Sequence, residues 1–168
     1  NGDLIVSSIN VTGLDDGTLA ASVTLTDAAT NTSASGTDTA TKDTIAPVIS
    51  SIISNATDTG WLKVGNTITF TLTPSIAEVG ASVSGSYNGV SLSWVPNGGS
   101  TAFTATYTVV EGNTDQTSAL QITGVTVTDA VGNTSSAGVG TDVVKTIAAH
   151  TPVAPTTVTL LDPINNAN

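Results

Sequence analysis

The stretch "NTITFTLTPS", residues 66–75, sets Ile68, Phe70 and Leu72 on one side of an extended chain and Thr67, Thr69, Thr71 and Thr73 on the other. Alternation with period two marks a half-buried β-strand. The same design returns in "TAFTATYTVV" (101–110), with Phe103, Ala105, Tyr107 and Val109 inward. It returns again in "GTLAASVTLTDA" (17–28), with Leu19, Ala21, Val23 and Leu25 inward. In "LQITGVTVTDA" (120–130) the parity slips from Leu120 and Ile122 to Val125 and Val127, and Gly124 at the slip predicts a β-bulge. Thr and Val favour pleated strands, whereas strong helix formers are sparse. The fold class is all-β.

"LTDAATNTSASG" (25–36) and "VTDAVGNTSSAG" (127–138) are one phrase written twice, with a period of 102 residues. That is the size of an immunoglobulin-like sandwich of about 100 residues and seven strands. The expected architecture is therefore tandem immunoglobulin-like β-sandwich repeats, one complete domain flanked by partial domains. Residues 46–149 form the complete repeat and residues 1–45 the C-terminal part of a preceding one. Residues 150–168 are the linker and first strand of the next, so the chain reads as a piece of a longer polypeptide. Strands are expected over 46–54, 66–74, 81–87, 90–95, 101–110, 118–128 and 138–147. Asn88-Gly89 makes a two-residue hairpin turn between the third and fourth.

The chain is acidic, with 13 Asp plus Glu against 3 Lys plus Arg. All three cations are lysines, Lys42, Lys63 and Lys145, too few for a nucleic-acid surface. Attraction to an anionic membrane is disfavoured for the same reason, and no stretch is long and apolar enough to span one. Without cysteine there is neither a disulfide framework nor a thiolate metal site. The single histidine, His150, excludes a multi-His zinc centre and would have to serve any Ser-His-Asp triad. Glu78 and Glu111 fall at opposite ends of the complete repeat, which argues against paired-carboxylate hydrolysis.

Recurring phrases then carry a resemblance. They are Asp16-Gly17-Thr18, Thr26-Asp27-Ala28, Asp43-Thr44-Ile45-Ala46-Pro47 and Thr128-Asp129-Ala130-Val131-Gly132-Asn133-Thr134. The chain resembles, over nearly its whole length, the bacterial Ig-like tandem repeats of giant cell-surface adhesins and biofilm-associated proteins. The resemblance implies an extracellular, non-enzymatic stalk on a bacterial surface. Its partners would be neighbouring repeats of the same polypeptide and a host or surface ligand held by a distant tip domain. Several kinds of such repeat bind calcium where domains meet. Two departures stand out: Thr30 occupies the place of a Gly before Asn31, and "KTIAAHTP" (145–152) lacks the linker carboxylate.

The residues themselves supply a candidate calcium site. Calcium takes six to eight oxygens from carboxylates, amides, backbone and water. In a sandwich array, the loop before the sixth strand of one domain meets the linker and two loops of the next. That brings Asp15, Asp16, linker Asp43, Glu78, Asp129 and Asn133 to the first joint. Crowded carboxylates repel one another without a cation. The bland reading is that Asp and Asn merely shape turns. At the second joint, Glu111, Asp115, His150 and Asp162 predict weaker calcium binding and more bending. His150 is expected to be solvated, and Trp61 and Trp94 to pack. Sequons at Asn10, Asn31, Asn55 and Asn133 are expected by chance in so Thr/Ser-rich a chain.

Three functions compete on this reading: a spacer rigidified by calcium, a glycan- or receptor-binding module using Tyr87 and Trp94, and a subunit of a surface fibre or layer.

Overall fold

The computed structural model describes residues 7–56, 60–140 and 146–158. Among them are twelve strands and no helix. The strand Thr67–Pro74 (β5) is the one whose alternation opened the sequence reading. It lies between Ile49–Ser54 (β3) and Phe103–Thr108 (β9), antiparallel to both. Val95–Pro96 (β8) closes the far edge, giving the order β3-β5-β9-β8. The second sheet has the order β11-β10-β6-β7, built from Gly138–Val139, Thr123–Thr128, Ser82–Tyr87 and Val90–Ser91.

The inward side chains of the two sheets form one core. Ile52, Ile68, Phe70, Leu72, Phe103, Ala105 and Tyr107 come from the first sheet, and Tyr87, Val125 and Val127 from the second. Tyr87 lies between sheets, its ring centroid 4.9 Å from Phe70 and 5.0 Å from Tyr107. Tilted and edge-on aromatic pairs of this kind add about 0.5–1.5 kcal/mol beyond the area they bury. Their polar tips are satisfied: Tyr87 donates to the Leu120 carbonyl, and Tyr107 donates to Asn113 Oδ1. Two antiparallel sheets facing across an apolar core are the layout of a β-sandwich.

Most expected strands sit within a few residues of their places. The bulge is present: β10 shifts register between Thr123 and Val125, and Gly124 has φ +71°. Three expectations need correction. The strand expected over 90–95 is two pieces, β7 pairing with β6 and β8 pairing with β9 in the other sheet. A chain turning from one sheet to the other cannot keep one register. The strand expected over 118–128 begins only at Thr123. The last strand appears as β11 and as Thr146–Ala148 (β12), with residues 141–145 outside the described residues. An additional strand, Trp61–Lys63 (β4), pairs with β12 in parallel. Three residues are too short to show a period, so this strand was not legible before folding.

Gly17–Val23 (β1) and Gly36–Lys42 (β2) form a separate antiparallel pair. Here the sequence expectation of an inward face fails. Val23 is 56% exposed and Leu25 55%, while Val125 and Val127, which hold the same places in the second copy, are fully buried. Among the described residues no facing sheet covers β1–β2. The strand expected after the second linker lies largely in residues 159–168, outside the described residues, as does Asp162.

Candidate functional site

The duplicated phrase folds into the same loop twice. In the second copy Asp129 Oδ1 accepts the main-chain N–H of Val131, Gly132 and Asn133 at 3.0, 2.7 and 2.9 Å. Asn133 Nδ2 donates to Asp129 Oδ2 at 2.8 Å. Ser135 Oγ accepts from the Val127 N–H, and Thr128 and Thr134 exchange a hydroxyl bond. In the first copy Asp27 Oδ1 takes Ala29 N–H and Asn31 N–H, and Asn31 Nδ2 donates to Asp27 Oδ2. Ser33 and the Thr26–Thr32 pair repeat the flanking bonds. The phrase is therefore a loop-building device: the Asp supplies acceptors to a tight turn, and the Asn locks the carboxylate. The Asn31 side-chain amide, then its N–H, hold the Asp27 carboxyl below the usual range. For Asp129, partial burial raises the pKa, but the Asn133, Val131 and Gly132 bonds outweigh it and the net shift is down.

The first joint gathers most of the residues the sequence assigned to it. Asp16 Oδ2 receives both the N–H and the hydroxyl of Thr44, at 2.8 and 2.9 Å. Lys42, also bonded to the Leu14 carbonyl, pairs with Asp16 at 3.4 Å. These contacts, the Thr44 N–H first, lower the Asp16 pKa. Asp43 Oδ1 accepts the Ile45 N–H, and the Asp43 carbonyl accepts from Asn133 Nδ2 at 3.2 Å. Glu78 stands close enough to feel Asp129 and Asp43. Burial first, then those two charges, push its carboxyl above the usual range. Asp43, Glu78, Asp129 and Asn133 thus share one locality, with Asp16 fastened to the adjoining Thr44. Asp15 makes no hydrogen bond among the described residues.

The arrangement is a set of hydrogen-bonded turns. Among the described residues, no group of three or more His, Asp or Glu side chains is arranged to hold a metal ion. Both Asp129 oxygens already accept loop donors, and an ion would compete with those donors.

The second joint repeats the clasp with different residues. Glu111 receives the Thr151 N–H at 3.1 Å and the Thr151 hydroxyl at 2.6 Å. Asp115 Oδ1 accepts the Ala149 N–H at 2.6 Å and lies 3.2 Å from His150 Nδ1. The Thr151 hydroxyl bond, then its N–H, lower Glu111, and the Ala149 N–H, then the His150 contact, lower Asp115. His150 is therefore not merely solvated. The missing linker carboxylate does not leave this joint without acid–linker bonds, because the loop after β9 supplies two. The clasped threonine is Thr44 at the first joint and Thr151 at the second. Acid and threonine stand 28 residues apart at the first joint and 40 at the second, and that difference hid the correspondence.

The proposed aromatic platform does not form. Tyr87 is 1% exposed, and burial, with Tyr107 next in effect, raises its phenol pKa. Trp94 packs against the core, as expected, with its Nε1 buried and unpartnered among the described residues. Trp61 does the opposite of what was expected of it: it is 55% exposed. No protein-family model, curated protein or solved structure matches this chain.

Proposed function

We propose that the chain is a structural spacer: tandem immunoglobulin-like sandwiches of a bacterial surface adhesin, set in line by bonds across the joints. One observation carries the reading. Two acids in equivalent loops, Asp16 and Glu111, each grip the N–H and hydroxyl of one threonine in the following linker. A linker fastened to the loop of the domain it leaves cannot swing freely, and reach then comes from stacking folded units. Neighbouring repeats are the partners in this reading. The extracellular location rests on the resemblance of the repeated phrases.

The direct test is small-angle scattering of the chain. The double variant Asp16→Ala, Glu111→Ala is expected to show a broader distribution of interatomic distances than the wild type. Superimposable profiles would sink the clasp as the source of stiffness.

A second reading adds calcium at the first joint, and the raised Glu78 pKa favours it. After burial, the charges of Asp129 and Asp43 act against the Glu78 carboxylate, and a divalent cation would relieve that. Asn133, Asp16 and Asp15 would complete the oxygen set after local rearrangement. Calcium should then raise the Tm of the wild type, a chelator should reverse it, and Glu78→Gln should abolish the response. A Tm indifferent to both leaves the hydrogen-bonded joint alone.

A further inference from the structure

Trp61 belongs to none of the devices above. It stands on β4, whose middle residue Leu62 is buried while Trp61 is 55% exposed. Exposing so large an apolar ring forgoes roughly 1–2 kcal/mol of burial. The indole lines an open cleft of about 400 Å³ shared with Asn55, Ala56, Gly65, Asn66 and Thr67. That volume falls within the usual range of small-ligand sites, about 300–1,000 Å³.

The polar groups of the cleft are fixed in place. Asn55 Oδ1 accepts the Thr69 N–H at 2.9 Å, and Asn66 Oδ1 accepts the Lys63 N–H at 3.0 Å. The main chain of this turn is tied to the end of the neighbouring strand by Gly65 N–H to Val109 O and Val109 N–H to Asn66 O. Each Asn therefore spends its carbonyl inside the fold. Each Nδ2 has no partner among the described residues, so two amide donors remain available on residues that line the cleft with Trp61. Among the described residues, no charged side chain lines the cleft.

We propose that the cleft at Trp61 binds a neutral pyranose unit of a polysaccharide, stacked on the indole and held by the Nδ2 donors of Asn55 and Asn66. A pyranose has an apolar face of C–H groups and a rim of hydroxyl oxygens. An exposed indole with two anchored amide donors and the Thr67 hydroxyl complements both. A charged sugar or a nucleotide would meet no cation among the described lining residues. The inference stands apart from the spacer reading: a spacer without this site remains a spacer.

The chain has two tryptophans, so ¹⁵N NMR separates the Trp61 indole from that of the packed Trp94. The probes are cellohexaose, maltohexaose and chitohexaose, each titrated to millimolar concentration into the full chain. The expected result is a saturable shift of the Trp61 indole resonance with at least one of them, and an unmoved Trp94. Trp61→Ala should abolish binding. Asn55→Asp and Asn66→Asp keep the Oδ1 anchor and delete the donors, and each should weaken binding by about tenfold. The proposal is overturned if none of the three sugars moves the Trp61 resonance. It is equally overturned if binding survives Trp61→Ala, or if both Asn→Asp variants bind as the wild type does.

Discussion

Thr151 gives Glu111 both its main-chain N–H and its hydroxyl, as Thr44 gives both to Asp16. The pair fixes the first residues after β12 to the loop that follows β9. Thr151→Val keeps the shape and the N–H and loses the hydroxyl bond. Hydrogen exchange at the residue 151 amide should quicken severalfold in that variant, and further in Glu111→Ala. An exchange rate unchanged in both would show that the clasp holds nothing.

Acid should release both clasps. Asp16, Asp27, Glu111, Asp115 and Asp129 all have lowered carboxyl pKa values. Their stabilisation is complete above the unfolded carboxylate range, near pH 4, and is lost as pH falls through the lower folded values. Glu78 has the opposite sign, because its raised pKa makes folding favour the protonated form. Its share of stability is gained as pH falls from neutral through that raised value. Tm should therefore hold level or rise slightly on acidification from pH 7, then drop below about pH 4. Glu78→Gln should raise Tm at pH 7 and remove the rise. A Tm that falls steadily from pH 7 would contradict the assignment.

The duplicated loop contains its own control. Gly132 adopts φ +105° between Asp129 and Asn133, and Thr30 holds the same place in the first copy at φ +69°. A β-branched residue resists positive φ by about 1–2 kcal/mol. Gly132→Thr should destabilise the central sandwich by about that amount in urea denaturation. Thr30→Gly should slow exchange at the Asn31 and Ser33 amides, by less than the full penalty because glycine costs backbone entropy. Equal stability of Gly132→Thr and wild type would show that the loop tolerates either residue.

Gly85 on β6 is held by close approach. A Cβ there would lie 2.9 Å from Val125 Cγ2 and 3.3 Å from Val125 Cα. The main-chain atom cannot move aside, so Gly85→Ala should cost about 1–3 kcal/mol. Combined with Val125→Ala, the two losses should sum to less than their separate costs, since one clash is partly removed. Strict additivity would place the strain elsewhere.

Period-two alternation placed β5 and β9 and the inward set Ile68, Phe70, Leu72, Phe103, Ala105 and Tyr107, whereas β3 and β6 followed from laying a sandwich over the repeat. The duplicated phrase marked two equivalent loops, and Gly124 marked the bulge. These features are local: strand parity and turn chemistry are written in neighbouring residues. The gathering of Asp43, Glu78, Asp129 and Asn133 followed from assuming that strand order. Which threonine each acid would grip did not follow. Glu111 and Thr151 meet across 40 residues, and Asn133 reaches the Asp43 carbonyl across 90. Their encounter depends on insertions that shift the chain without altering its pattern. The crossing of β8 into the other sheet, the pairing of β4 with β12 and the exposure of Trp61 were likewise settled only by tertiary packing. A short segment carries no period of its own, so the neighbours it meets decide which side it buries.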